Sequence, residues 1–249
     1  MRIDWSDLRA ELGIWRAEGR GLPIWWRDDD AVAATAELTQ LVDLATELDV
    51  SLHLAVIPSL AEDSLADAIG ARPLVVPMVH GWAHLNHAPE GEKKAEFGHP
   101  RPEAAAEMGL GLTRLKTLFP ADSIDLFVPP WNRMDARLIA ALPSAGYAGV
   151  STFTPRKTAY PMPGLVQINT HLDPIFWRGG GGLVPPEQLI PALVETLQDR
   201  RAGVTDATEP LGLLTHHLVH DAAIWDFTRG VLEELLAGGA RAVSLRDLG

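Results

Sequence analysis

Three consecutive carboxylates, Asp28, Asp29 and Asp30, close the segment PIWWRDDD, and two imidazoles, His80 and His84, close the segment HGWAH. Both groups follow an apolar run. One carboxylate with two imidazoles is a three-ligand set that leaves coordination positions free for water, which a catalytic zinc site needs and a structural one does not. A second aspartate beside the ligand is then a candidate base. An acidic triplet also reads as a helix cap, since unpaired N–H groups and the helix dipole favour negative charge, and that is the role expected of Asp30. Arg27 could pair with the carboxylates as well. Adjacent carboxylates repel unless a positive group stands nearby, and a dication meets that need best.

Other side chains extend the candidate site. Pro129, Pro130 and Trp131 give a stiff turn with an aromatic face, on which a sugar ring or an amide can lie, and Trp82 offers a second wall. The segment THHLVHD puts His216 and His217 at a strand end. Alternation sends one of them into the site and the other away, with Asp221 available to orient the first. His171, Asp173 and Trp177 follow another strand and are expected to line the substrate pocket. His53, inside a strand, reads as an interior histidine with its hydrogen bonds satisfied.

The elements that must position these residues are legible from hydrophobic runs. Eight nearly continuous apolar segments (22–26, 52–57, 74–79, 124–128, 148–152, 165–168, 211–215 and 242–245) read as buried parallel strands. Helical patterns at 35–48, 60–69, 103–118, 135–142, 186–199 and 224–236 alternate with them. That order, without a break in composition, predicts a single α/β domain over 1–249, a distorted (β/α) barrel of seven to eight parallel strands, ahead of an open doubly wound sheet. Residues 1–20 read as an amphipathic capping helix. In a barrel the chemistry lies where strands end, and the candidate residues all follow strands. The long 81–101 connection is expected to be a lid and the four glycines at 179–182 a hinge.

Composition bounds the function. The chain has 249 residues, 47% hydrophobic, and a formal charge of −12 from 33 acidic and 21 basic residues. An acidic surface argues against a nucleic-acid partner. No cysteine occurs, which excludes disulfides, thiolate metal sites and a thiol nucleophile. Neither a signal segment nor an apolar span of membrane length is evident, so no membrane partner and a cytoplasmic location are expected.

Taken together, WRDDD, HGWAH, VPPW and LLTHH make the sequence resemble the polysaccharide deacetylase superfamily, the NodB-homology or carbohydrate esterase family four enzymes. Those enzymes have a distorted (β/α) barrel and T-F-D-D-G, H-[ST]-x-x-H and R-x-P-[FWY] motifs. The resemblance implies a metal-dependent hydrolase of C–N amide bonds, removing an N-acetyl group from a sugar or related small molecule. It makes Asp28 the base, Asp29, His80 and His84 the metal ligands, and His216 the general acid, with His217 the rival. Zinc is the first expectation, and cobalt, nickel or iron suit the same ligands. Trp82, Pro130, Trp131, His171, Asp173, Trp177 and His217 are the expected substrate-binding residues. Val128 stands where the family has arginine, leaving Arg27 or Arg133 to take its place, and Asp173 and Trp177 only loosely echo the motif that tunes the catalytic histidine. Two other readings are a glycan-binding protein that has lost turnover and a two-histidine, one-carboxylate Fe(II) oxygenase.

Overall fold

A computed structural model describes residues 3–70 and 72–248. Parallel strands β1 (Leu22–Ala31), β2 (Leu52–Val56), β3 (Val75–His80), β4 (Leu126–Val128), β5 (Gly149–Val150), β6 (Val166–Gln167), β7 (Leu211–Thr215) and β8 (Ala240–Ala242) alternate with helices for most of the chain. The helices are α1 (Ser6–Ala17), α2 (Ala36–Leu48), α3 (Asp63–Ile69), α4 (Ala104–Leu118), α5 (Ala136–Ala141), α6 (Pro186–Ala202) and α7 (Ala222–Ala237). Strand order is β6-β5-β4-β3-β2-β1-β7, and β8 pairs with the first residues of β1. The chain after β6 returns to β7 through a Leu172–Leu213 bridge, with the Leu214 N–H donating to the Leu172 carbonyl at 2.8 Å. The sheet therefore curls into the expected distorted barrel, with its short strands β4 to β6 on the irregular side.

Alternation along the strands sorts side chains into two layers. Trp26, Leu54, Val79, Phe127 and Leu213 face outward into the main core beneath the helices. Trp25, Ala55, Met78, Val128 and Ile168 fill a smaller cluster in the lumen. Gly212 is required where the lumen is tightest, since a Cβ there would come within 2.5 Å of Trp25 Nε1 and 2.7 Å of the Asn169 carbonyl.

Several local expectations change. β1 runs on through Ala31, past the expected end at residue 26, because its charged residues are buried in pairs described below. Helix α2 is capped by Thr35, whose Oγ1 accepts from the Leu38 N–H at 3.0 Å, so Asp30 is not the cap. Helix α1 buries Leu8, Leu12 and Trp15 and packs alongside α6 and α7, while residues 1 and 2 of the expected capping segment lie outside the described residues. The 81–101 connection is no free lid: Ala95, Glu96 and Phe97 are buried, and the Phe97 carbonyl accepts from the Asp135 N–H. The 179–182 glycines form a closed turn on Phe176, which receives N–H bonds from Gly179 and Gly181 and donates to the Gly182 carbonyl. Among the described residues no helix is long and apolar enough to cross a membrane.

Candidate active site at the barrel mouth

Strand alternation decides what the three aspartates face. Trp25, Arg27 and Asp29 point into the barrel, whereas Trp26 and Asp28 point outward beneath the helices. A register shift between Asp28 and Ala31, with Asp30 at φ 73°, interrupts the alternation and swings Asp30 toward β3.

Asp30, His80 and His84 consequently form the metal-type cluster found among the described residues. Asp30 Oδ1 lies 3.1 Å from His80 Nε2 and 3.3 Å from His84 Nε2. His80 Nδ1 donates to the Val128 carbonyl at 3.0 Å, which fixes the tautomer and leaves Nε2 with a free lone pair. Asp30 Oδ1 and His80 Nε2 are both buried without a hydrogen-bond partner. Buried polar atoms left unpaired are costly, and a cation held by these two and His84 Nε2 relieves both. The donor set thus fits a divalent ion. Burial pushes the Asp30 carboxyl up, but the facing His80 imidazole, with His216 and His84 adding, holds it well below the ordinary range. His84 is lowered by burial and by the neighbouring His80.

Asp29, expected as a ligand, is instead gripped by Arg27. Arg27 Nε lies 2.9 Å from Asp29 Oδ1, and Nη2 donates to Oδ2 at 3.1 Å. Both residues are buried. The guanidinium crosses the lumen, donating also to Ser151 Oγ at 2.8 Å and Asn132 Oδ1 at 2.6 Å. Of the two arginines expected to stand in for the one missing at Val128, Arg27 is thus paired with an aspartate in the lumen, while Arg133 is exposed and donates to the Lys94 carbonyl. Asp29 is close enough to His80 that its charge counters the effect of burial, and with Asp30 raises that histidine's pKa.

Asp28, expected as the base, is wholly engaged in tying β1 to β7. His217 Nδ1 is 2.5 Å from Oδ1, while Oδ2 accepts from Thr215 Oγ1 at 2.6 Å and from the His217 N–H at 3.0 Å. Burial raises the Asp28 carboxyl, and His217 more than offsets it, so the acid sits below its usual range and His217 above its own. His217 is thus a buried structural partner with no face on the mouth.

His216 is the histidine that turns inward. Its Nε2 lies 3.9 Å from Asp29 Oδ2, its Nδ1 has no partner, and its ring meets Trp177 edge-on at 4.8 Å. Trp177 Nε1 donates to Asp173 Oδ2 at 2.8 Å, and the Asp173 carboxyl, raised by burial, is partly stabilised by the charge of His216. Asp173 and Trp177 therefore bracket His216. Asp221, expected to orient it, caps α7 instead.

The Trp131 ring centroid lies 4.2 Å from that of His84 with the planes tilted by 50°, a contact its left-handed backbone (φ 56°) permits. Trp82 is half-buried against the main core, and Pro130 is buried against Gly81. His171 is not in the mouth: its Nδ1 accepts from the Gly212 N–H, and Nε2 faces Glu209 at 3.2 Å. His53 is the satisfied interior histidine expected, bonded to the Trp26 carbonyl and the Leu245 N–H.

Glu96 escaped sequence reading. This buried carboxylate accepts from the N–H groups of Ala83 (2.7 Å) and Trp82 (3.2 Å), holding the loop that carries His84. Gly81 makes the approach possible, as a Cβ there would sit 2.2 Å from Glu96 Oε2. No spacing links residue 96 to the HGWAH segment, so no motif could have revealed it. The Arg27–Asp29 pair did leave a signal, the i, i+2 spacing of opposite charges within one strand.

Neither a family model nor a curated protein matches the chain. Solved structures do. A putative polysaccharide deacetylase from Mycobacterium smegmatis superposes with TM-score 0.62 at 14% identity, over 92% of this chain and 89% of that one. The chitin deacetylase of Colletotrichum lindemuthianum gives 0.55 at 15%, over 90% and 86%. A CE4 family pseudoenzyme from Bacillus anthracis gives 0.57 at 11%, over 92% and 65%. The chain has the fold of these proteins.

Proposed function

We propose that this NodB-type barrel is a metal-dependent deacetylase of an N-acetylated sugar or related small amide. The observation that carries the reading is a free carboxylate oxygen facing the Nε2 atoms of two histidines at 3.1 and 3.3 Å, with a second, clamped aspartate beside them. Asp30, His80 and His84 would hold the dication, zinc first among those that suit the set. A bound dication supplies Lewis acidity and lowers the pKa of water. Asp29 takes the proton from the attacking water, and Arg27 fixes the carboxylate in position. His216, whose Nε2 lies across from Asp29, delivers a proton to the leaving nitrogen. Trp131 and Trp177 flank the space between them.

The deacetylase fold supports the amide as the bond cleaved, and the acetylated glycan named for the Colletotrichum protein supports the substrate class. A binder that has lost turnover is the second reading and rests on Val128; the Arg27 clamp on Asp29 favours turnover.

Acetate release from N-acetylated sugars by metal-loaded protein is the test. Asp29→Asn is expected to lower turnover by ~100-fold or more with metal content retained, while Asp30→Asn loses the metal itself. Undiminished turnover in Asp29→Asn refutes the base, and metal retained in Asp30→Asn refutes the ligand set.

A further inference from the structure

Glu209 lies just ahead of β7, at the opposite end of that strand from His216, and is fully buried. Three donors converge on its carboxylate. Oε1 accepts from the Asn169 N–H at 2.7 Å, and Oε2 accepts from the Arg156 N–H at 3.0 Å. His171 Nε2 faces Oε2 at 3.2 Å, and because the Gly212 N–H donates to Nδ1 at 3.0 Å, the ring proton is on Nε2 and points at the acid. All three groups facing the carboxylate are therefore donors. A carboxylate accepts from all of them, whereas the amide of a glutamine has to turn its own N–H groups toward at least one.

Asn169 carries this hold back toward Asp29. Its Oδ1 accepts from the Thr152 N–H at 2.8 Å and from Thr152 Oγ1 at 3.0 Å, and its Nδ2 donates to the Thr154 carbonyl at 2.8 Å. Strands β5 and β6 have only two residues each, so beyond their ladder the chain at 151–154 is held by these side-chain bonds and a few backbone ones. That stretch gives the Arg27 guanidinium two of its acceptors, Ser151 Oγ at 2.8 Å and the Thr152 carbonyl at 3.3 Å. Arg27 in turn grips Asp29. An unbroken series of polar contacts thus joins Glu209 to Asp29 through side chains that are buried or partly buried throughout.

We propose that Glu209 is a positioning residue: through Asn169 and the 151–152 segment it fixes the Arg27 guanidinium, and through Arg27 the Asp29 carboxylate. Its bearing on turnover rests on the reading of Asp29 as the base, while its hold on Arg27 does not. A reacting group displaced by ~1 Å costs up to ~100-fold in rate, so slack introduced at Glu209 reaches the chemistry without touching the substrate.

The Arg27 Nε–H resonance in a proton–nitrogen correlation spectrum, identified as the signal that Arg27→Lys removes, reports the clamp directly. In Glu209→Gln it is expected to shift, with kcat on triacetylchitotriose ~10- to 100-fold lower, KM within ~threefold of wild type and zinc content unchanged. In the Arg27→Lys background the same change is expected to cost less than ~threefold, because the group it supports is already gone. Glu209→Asp, still acceptor-only but one methylene short, is expected to fold even where the glutamine variant does not, and to move the same signal with a smaller loss of rate. An unmoved resonance in a folded variant, an unchanged kcat in an active enzyme, full multiplication of the two losses, or zinc lost along with the rate each overturns the inference. A shifted resonance in a protein whose wild type releases no acetate from N-acetylated sugars upholds the hold on Arg27 and refutes the deacetylase reading instead.

Discussion

Asp28→Asn separates the two readings of the aspartate triplet, because a tether and a base fail in different currencies. The asparagine oxygen can replace Oδ2 and keep the bonds from Thr215 Oγ1 (2.6 Å) and the His217 N–H (3.0 Å). Its amide then faces His217 Nδ1, which must give up its proton and accept. One charge-assisted bond is lost, worth ~1.5–3 kcal/mol, with no cavity created. For a chain of this size ~2 kcal/mol lowers Tm by about 4–8 °C. Loss of a general base instead costs ~100- to 10,000-fold in turnover. The expected outcome is a clear loss of stability in urea or thermal unfolding with kcat within about threefold of wild type, since the outward-facing Asp28 has no contact with the lumen. A collapse of kcat at unchanged Tm would refute the argument from strand alternation and return the base to Asp28.

Other outcomes follow from the same contacts. Arg27→Lys keeps a charge but cannot reach Asp29, Ser151 and Asn132 together, so kcat is expected to fall ~10- to 100-fold with metal content unchanged; an unaltered rate shows that Arg27 does not position the base. Glu96→Gln offers a single acceptor to two backbone N–H groups, and zinc affinity in a chelator competition is expected to weaken ~10-fold while the fold persists; unchanged affinity removes Glu96 from the support of His84. His53 is held neutral, with its pKa pushed down to about 4 by burial. Below its ordinary pKa near 6.5 the unfolded chain binds a proton that the folded chain refuses, so stability is lost as pH falls from ~6.5 toward ~4, by about 3 kcal/mol in all. His53→Asn should flatten that slope, and a slope identical to wild type disproves the assignment.

How far the site could be read in advance depended on the range of the interaction that fixes each residue. Strand and helix positions follow from local apolar runs, and the runs around Trp25–Trp26, Leu52–Val56 and Val75–Val79 need no knowledge of distant residues. His80 and His84 were legible for the same reason, being joined by one short loop. What holds that loop, Glu96, is set by a tertiary contact that leaves no periodic mark. The short strands β5 and β6 were placed by composition, but closure through Leu172 and Leu213 was not, because it is made by chain outside both apolar runs.

The aspartate triplet shows the limit most sharply. In an extended strand a shift of one residue exchanges the two faces, so choosing between Asp28 and Asp29 for the lumen is a choice of face. Arg27 held the answer: a buried guanidinium needs an anion, and on a strand the anion it can share a face with is two residues away, at Asp29. Outward Asp28 then needs its own cation, which His217 supplies from the neighbouring strand. With those two carboxylates spent, only Asp30 remains for the histidines, and strict alternation would have sent it outward with Asp28. The left-handed residue and the register shift are what turn it inward, so the backbone irregularity at Asp30 is the feature on which assembly of the cluster depends.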